Sequence, residues 1–300
     1  MFVLAHLSDP HLGPLPVPHP FELLSKRGLG FINWLRKRRA IHRPDVLAAL
    51  VADLKGHAPD HIAITGDLVN LSLANEFAPA RAWLEQLGNP DNVSLVPGNH
   101  DAYVRAAVGL ALRDWGDYMR GDTGENFPFV RRRGPLALIG LSTSLPTLPL
   151  AATGRLHGDQ LVRLGKVLQQ LDREGAFRVI MIHHPPVAGA NYFRRLTDAA
   201  ALRDVLQKYG AELVLHGHHH EASLAWLPGP SSRIPTVGVP SASGAPGHHD
   251  DPAGYNLYEI DGTPGSWRCT MVARGWRGNG IGEVSRQPLL GQGVHSLTRG

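Results

Sequence analysis

Asp9 and His11 stand just after the apolar run FVLAHLS (2–8). Gly66-Asp67 follows HIAIT (61–65), and Pro97-Gly98-Asn99-His100-Asp101 follows NVSLV (92–96). His183-His184-Pro185-Pro186 follows FRVIMI (177–182), and His216-Gly217-His218-His219-His220 follows AELVL (211–215). Each fragment alone says little: Asp-x-His is common, Gly-Asp is usually a turn, and HGHHH could be a solvated tract. Together they place Asp, Asn or His after five separate apolar runs. In open α/β sheets, ligands bind beyond the carboxyl ends of the strands. Five such ends supply the convergent polar groups from which a site is built.

The donor types narrow the chemistry. Carboxylates, imidazoles and one carboxamide, without thiolate, suit Mn, Fe, Zn or Co better than a thiophilic metal. Seven ligand-type side chains exceed what one tetrahedral ion with an open position can use. They suffice for two ions sharing one carboxylate. Such a pair keeps excess positive charge, which favours a bridging hydroxide and an anionic substrate, the arrangement for in-line displacement at phosphorus.

The composition agrees. Seventeen histidines stand against one cysteine in 300 residues. The single thiol excludes a disulfide framework, a Cys-type zinc finger and an iron–sulfur protein. With 43% hydrophobic and 19% charged residues, the chain is neither disordered nor fibrous. No apolar run is long enough to predict a transmembrane helix. MFVLAHLSDP lacks a basic n-region and a long h-region, so a cytoplasmic address is expected.

The elements that must position these residues alternate. Strands are expected at 2–8, 61–65, 92–96, 135–143, 177–182 and 211–215. Helices are expected at 45–56 (Pro44 before it, Gly56 at its end), 77–88, after Asp101, 158–175 and 198–210. RIPTVGV, YNLYEI and SWRCTMVAR then follow as strands without helices between them. This predicts an α/β core with a second or mixed sheet. The chain divides at 1–262 and 263–300, the latter a last strand and a C-terminal extension, with a loosely held tail expected beyond Gly275.

Charge is local. Lys26, Arg27, Arg36, Lys37, Arg38, Arg39 and Arg43 lie between Leu23 and Pro44 with no carboxylate among them; elsewhere 23 cations face 26 anions. Segment 23–44 is a basic insertion that could be a solvated helix, a lid, or a contact for an anionic membrane at its inner face. Phe31, Trp34, Leu35 and Ile41 could share a helical face, but Arg38 and Arg39 fall inside that apolar arc. One short patch does not track a duplex, which argues against nucleic acid as a partner.

In order, D-x-H, G-D, G-N-H-D, an isolated His and G-H-x-H resemble the calcineurin-like metallophosphoesterase superfamily across positions 9–220. The resemblance implies a four-layer αββα sandwich, two mixed β-sheets flanked by helices, with a dinuclear metal centre at the strand C-terminal ends. It implies one ion held by Asp9, His11 and His220, a second held by Asn99, His183 and His218, and Asp67 bridging. His100 would stand beside the scissile phosphate as a stabiliser or proton donor, with Asp101 orienting it. The H-H-P-P and L-H-G-H-x-H details resemble the branch of cyclic-nucleotide and glycerophosphodiester phosphodiesterases. They imply a small-molecule phosphodiester attacked by a metal-bridging hydroxide.

Two other readings stand beside this one. The basic insertion, with Phe31 and Trp34, is similar to features of hydrolases acting on lipid- or nucleotide-linked phosphates and pyrophosphates at a membrane surface. Some relatives have instead become metal-free scaffolds, although the ligand positions here all keep competent side chains. Tyr192, Arg194 and Arg195 are candidates for phosphate or base contacts, or for surface roles. His184, His216 and His219 are expected to pack beside ligands, His6 to be a satisfied core histidine, and His248-His249-Asp250-Asp251 to be a polar loop.

Overall fold

The computed structural model describes residues 1–189, 191–248, 251–278 and 280–291. Two six-stranded sheets face each other. The first has the order β12-β11-β10-β1-β2-β3, from β1 (Phe2–Leu7), β2 (His61–Ile64), β3 (Val93–Leu95), β10 (Gly254–Asp261), β11 (Arg268–Arg277) and β12 (Gly280–Leu290). The second has the order β4-β5-β6-β7-β9-β8, from β4 (Phe129–Arg133), β5 (Leu136–Gly140), β6 (Phe177–Met181), β7 (Leu213–His216), β8 (Ser223–Pro228) and β9 (Arg233–Gly238). Both are mixed: β1, β2 and β3 run parallel, as do β5, β6, β7 and β9, while the remaining pairs are antiparallel.

Side-chain alternation along each strand makes the layers. Leu138, Val179, Met181, Leu213 and Leu215 join the cluster containing Leu4, Leu7 and Ile64 of the first sheet. Their neighbours Ala137, Ile139, Ile180, Ile182 and Val214 meet Leu164 and Leu168 of α6 (Gly158–Arg173) and Leu202 and Leu206 of α7 (Ala199–Tyr209). On the other side, Val46, Leu50 and Leu54 of α3 (Pro44–Gly56) and Phe77 and Leu84 of α4 (Ala74–Leu87) close the first cluster. The four-layer αββα sandwich expected from the sequence is the one observed.

Register decides where the site falls. Leu7 lies opposite Ile64, and Ile64 opposite Leu95, so three parallel strands of the first sheet end abreast. Met181 lies opposite Leu215 in the second sheet. The loops after these five strands therefore open on one edge of the sandwich.

Four elements differ from expectation. Strands β4 and β8 were not foreseen; FVRRR carries three arginines, yet Arg131 is buried, donating to the carbonyl oxygens of Val93 (2.8 Å) and Arg120 (2.6 Å). The helix after Asp101 is only α5 (Leu110–Trp115), preceded by a short 3₁₀ turn at Arg105–Ala107. The tail is corrected over 280–290, which is an edge strand hydrogen-bonded to β11 and not a loose extension; its last part, 292–300, lies outside the described residues. Only Leu289 of that strand is buried, so its sequence lacks the apolar alternation that marks a strand. Its exposed charges and two register shifts suit a protected edge.

Segment 23–44 is helical: a 3₁₀ turn at Pro20–Leu24, α1 (Lys26–Asn33), a π-helical turn at Trp34–Arg38, and α2 (Arg39–Ile41). Phe31 and Trp34 pack with Leu15, Leu71, Leu73 and Tyr103, which anchors the segment beside the strand ends.

Candidate metal centre

The loops after the strands are tightly turned and cross-tied. Asp9, His11, Asp67, His218 and His220 all have positive φ, between 40° and 73°. Non-glycine residues in this region are rare, Asp and His less so, and they gather at functional sites. Gly66, at φ 99°, precedes Asp67. A Cβ at Gly98 would collide with the Asp67 carboxylate, and one at Gly217 with the Ser8 hydroxyl and the Asp9 carboxylate. The Gly-Asp, Gly-Asn and Gly-His pairs are therefore required by close approach.

Two clusters of donors share Asp67. Asp9 Oδ1 lies 3.3 Å from His220 Nε2 and 3.8 Å from His11 Nε2. His11 and His220 Nε2 are 3.3 Å apart. Asp67 Oδ2 lies 4.0 Å from His11 Nε2 and 3.3 Å from His183 Nε2, which is 3.2 Å from Asn99 Oδ1. The single oxygen Oδ2 thus faces both clusters, while Oδ1 accepts the His100 N–H at 2.7 Å.

Backbone carbonyls hold the tautomers. His183 Nδ1 donates to Thr65 O (2.6 Å), His11 Nδ1 to Val69 O (3.2 Å) and His218 Nε2 to Arg194 O (2.8 Å). In His11 and His218 the other ring nitrogen keeps its lone pair, as ligand imidazoles do, whereas His183 Nε2 faces the Asp67 carboxylate. Asp9 Oδ2 accepts from the Ser8 hydroxyl (2.6 Å) and the His218 N–H (3.0 Å), whereas its buried Oδ1 has no hydrogen-bond donor. A buried carboxylate oxygen among imidazole nitrogens fits a cation. His184 clusters with His183 and His218. Both its nitrogens are occupied, by Thr143 Oγ1 (2.7 Å) and Ala152 O (3.2 Å), as expected of a packing residue.

Electrostatics point the same way. Burial holds His11 and His218 well below the usual imidazole value, His11 further lowered by Arg38 and His218 by His184, so both are neutral. Burial also disfavours charge on His183, but the Asp67 and Asp9 carboxylates outweigh it and raise the ring to about 9. His6, fully buried and bonded to Thr65 Oγ1 at 2.9 Å, is pushed down to about 3 by burial and His216. It is a core histidine with one ring nitrogen bonded. Within the polar stretch 248–251, His249 and Asp250 lie outside the described residues.

The expectation that Asp101 orients His100 is corrected. Asp101 Oδ2 accepts the N–H groups of Asp67 (2.9 Å) and Gly98 (2.8 Å); Oδ1 accepts those of Leu68 (2.9 Å) and Val69 (3.3 Å). Burial and the Asp67 charge push its carboxyl up, and the backbone donors oppose them. His100 is oriented instead by Asn70, whose carbonyl accepts from Nδ1 at 2.5 Å.

Two site residues were missed in the sequence reading. Arg38 Nη2 lies 2.7 Å from His11 Nε2, and its Nη1 2.8 Å from His100 Nε2. The signal was its place inside the apolar arc, the inward-facing side of the segment. His42, buried and bonded to Ser243 Oγ at 3.0 Å, forms a third possible cluster with His11 and His220. Arg194 reaches the site, donating to His218 O at 3.0 Å, whereas Arg195 lies over the exposed Tyr192 ring. A cleft of about 260 Å³ opens on these groups, walled by Arg38, His42, Asn99, His100, Arg194 and His220. Beside it a cavity of about 500 Å³ shares His100 and Arg38 and is lined further out by Leu29, Ile32, Trp34 and Leu150. The basic insertion therefore supplies one wall of both openings.

The family model of the calcineurin-like phosphoesterases matches residues 2–222. The chain belongs to that family. It is accordingly a metal-dependent phosphoester hydrolase, and the His and Asp clusters could hold the metal. A relative named as a probable cyclic nucleotide phosphodiesterase, from a Synechococcus strain, is 28% identical over 232 residues, 75% of this chain and 80% of the relative. In fold, the chain is similar to a dimetal phosphatase from Danio rerio, with a TM-score of 0.58 at 15% identity over 96% of this chain and 98% of the other. It is also similar to a purple acid phosphatase from yellow lupin (Lupinus luteus) seeds, with a TM-score of 0.59 at 12% identity over 95% of this chain and 53% of that one.

Proposed function

We propose that this calcineurin-like phosphoesterase hydrolyses small-molecule phosphodiesters at a two-ion centre. Asp9, His11 and His220 would hold one ion, Asn99, His183 and His218 the other, with Asp67 between them. The observation that carries this reading is Asp67 Oδ2, which faces His11 Nε2 on one side and His183 Nε2 on the other. Ions of the Mn, Fe or Zn type bound there would neutralise phosphoryl oxygens and make water a competent nucleophile near neutral pH.

The chain's own residues do the rest. Asp101 fixes the Asp67 and Gly98 loops, and three backbone carbonyls fix the ligand imidazoles. His100, held by Asn70 O, points Nε2 into the cleft, where it can bond the leaving oxygen. Arg38, between His11 and His100, is a protein cation in the cleft that can pair with a phosphate in bidentate fashion. A lone pair serves one partner, so Arg38 must release His11 when His11 takes an ion. The guanidinium then becomes available to the substrate. The apolar outer cavity favours a diester with one bulky apolar alcohol as a second reading.

Metal analysis of reconstituted protein tests the centre, with roughly two ions per chain expected. Fewer than one would overturn it and favour a metal-free scaffold. Hydrolysis of bis(p-nitrophenyl) phosphate with Mn²⁺ should be nearly abolished in Asp67→Ala and in His100→Ala, the latter keeping its metal. A panel of cyclic nucleotides, glycerophosphodiesters, phosphomonoesters and nucleotide-lipid pyrophosphates then ranks the substrates.

A further inference from the structure

Exposed apolar side chains gather at one place on this molecule. Ten of the fourteen large ones among the described residues come from three segments, 17–35, 148–150 and 192–193. Val17 is 92% exposed, Leu150 86% and Leu24 83%. Isolated exposed leucines need no explanation, but a gathered patch does. Hydrogen bonds tie the three segments together. Lys26 Nζ donates to Thr147 Oγ1 (2.6 Å) and Ala151 O (2.8 Å), and the Ala152 N–H donates to Phe193 O (2.7 Å). Arg38, Ala152 and Arg194, one to three residues beyond these segments, wall the cleft. The patch therefore rims the mouth of the site.

Its charge has one sign. Glu22 is the only carboxylate in 17–41, and it accepts from Arg27 and from the His19 N–H. Arg27 is buried, Lys26 is held by Thr147 and Ala151, and Arg38 points into the cleft. Arg36, Lys37 and Arg39 remain exposed. Apolar side chains with only cations around them match an acyl boundary beneath anionic headgroups. No helix among the described residues is long and apolar enough to cross a membrane, so the contact would be interfacial.

We propose that this rim docks the protein on an anionic lipid bilayer, with the mouth of the site against the headgroups. The inference uses none of the metal-ligand candidates and stands apart from the phosphodiester reading.

Flotation of the full chain with vesicles of phosphatidylcholine, with and without phosphatidylglycerol, tests it. Binding is expected with the anionic vesicles only, and should weaken as salt rises. One cation near such a surface contributes about fivefold, so Arg36→Gln with Arg39→Gln should lower partitioning about 25-fold. Phe21→Ser with Leu24→Ser should lower it at least about tenfold, with Tm and turnover of a soluble diester unchanged. Wild-type protein that stays unbound, or equal binding by both double variants, would overturn the proposal. A concentration-dependent dimer lost in Phe21→Ser/Leu24→Ser, without vesicle binding, would assign the patch to a second copy and overturn it as well. Vesicle binding by a protein that hydrolyses no phosphoester would support docking and defeat the proposed diester activity alone.

Discussion

Replacing Asp101 by Asn changes one atom, and its consequence can be worked from four hydrogen bonds. Each Asp101 oxygen accepts two backbone N–H groups, from Asp67 and Gly98 on one side and from Leu68 and Val69 on the other. In Asp101→Asn one oxygen becomes an NH₂ group that faces two donors. Two buried N–H groups lose their acceptor, at roughly 1–3 kcal/mol each, and the other two lose charge assistance. The expected loss is about 4 kcal/mol. At roughly 2 °C per kcal/mol for a chain of this size, Tm should fall by about 8 °C. The same bonds set the Asp67 loop, so the variant should also retain less metal. Thermal denaturation followed by circular dichroism, with metal content by mass spectrometry, reads both. If Asp101 acted instead through His100, Tm and metal would be unchanged while turnover dropped by about a hundredfold. That pattern would refute the structural reasoning.

Arg38→Ala should raise KM for a soluble phosphodiester by about 10–100-fold, the value of a bidentate charge-assisted contact, with metal content unchanged. An unaltered KM would remove Arg38 from the substrate site. Asp53 accepts from Arg274 Nε and Nη2, both at 2.8 Å, and from the Tyr255 hydroxyl at 2.6 Å. Partial burial opposes its charge, yet these partners hold its carboxyl below the ordinary 3.8. A depressed acid stabilises the fold above its unfolded pKa, and that contribution fades as pH falls through the folded one. Asp53→Asn should therefore cost about 2 kcal/mol at pH 7, and the gap to wild type should close below about pH 4. A gap independent of pH would show that the charge is not what matters.

The ligand candidates were legible because each follows a short apolar run, and parallel register brings those runs to one edge. The layers were legible for the same reason, since residues of alternating burial make each strand face two cores. Asp101 was placed in the right loop but given the wrong partner, because sequence adjacency to His100 says nothing about where a carboxylate turns. Three of its four donors come from a loop more than thirty residues away in sequence. Arg38 and His42 were missed because the insertion crosses the strand ends, a tertiary relation that no local pattern encodes. The π-helical turn at Trp34–Arg38 shifts the helical register there, and such turns often mark functional sites. Arg38 broke the amphipathic pattern, and that irregularity was informative. Strands β4, β8 and β12 lie at or beside sheet edges, where a strand needs fewer apolar residues than one buried on both faces.

Five of the nine non-glycine residues with positive φ among the described residues are metal-ligand candidates. A left-handed L-residue costs roughly 1–2 kcal/mol, so this edge carries about 5–10 kcal/mol of conformational cost. That is comparable with the whole net stability of an ordinary domain. Glycine would relieve the cost at any of the five but would delete a carboxylate or an imidazole. Thermostability and catalysis therefore compete at the same positions. A search for stabilising substitutions that ignored function would be drawn first to Asp9, His11, Asp67, His218 and His220.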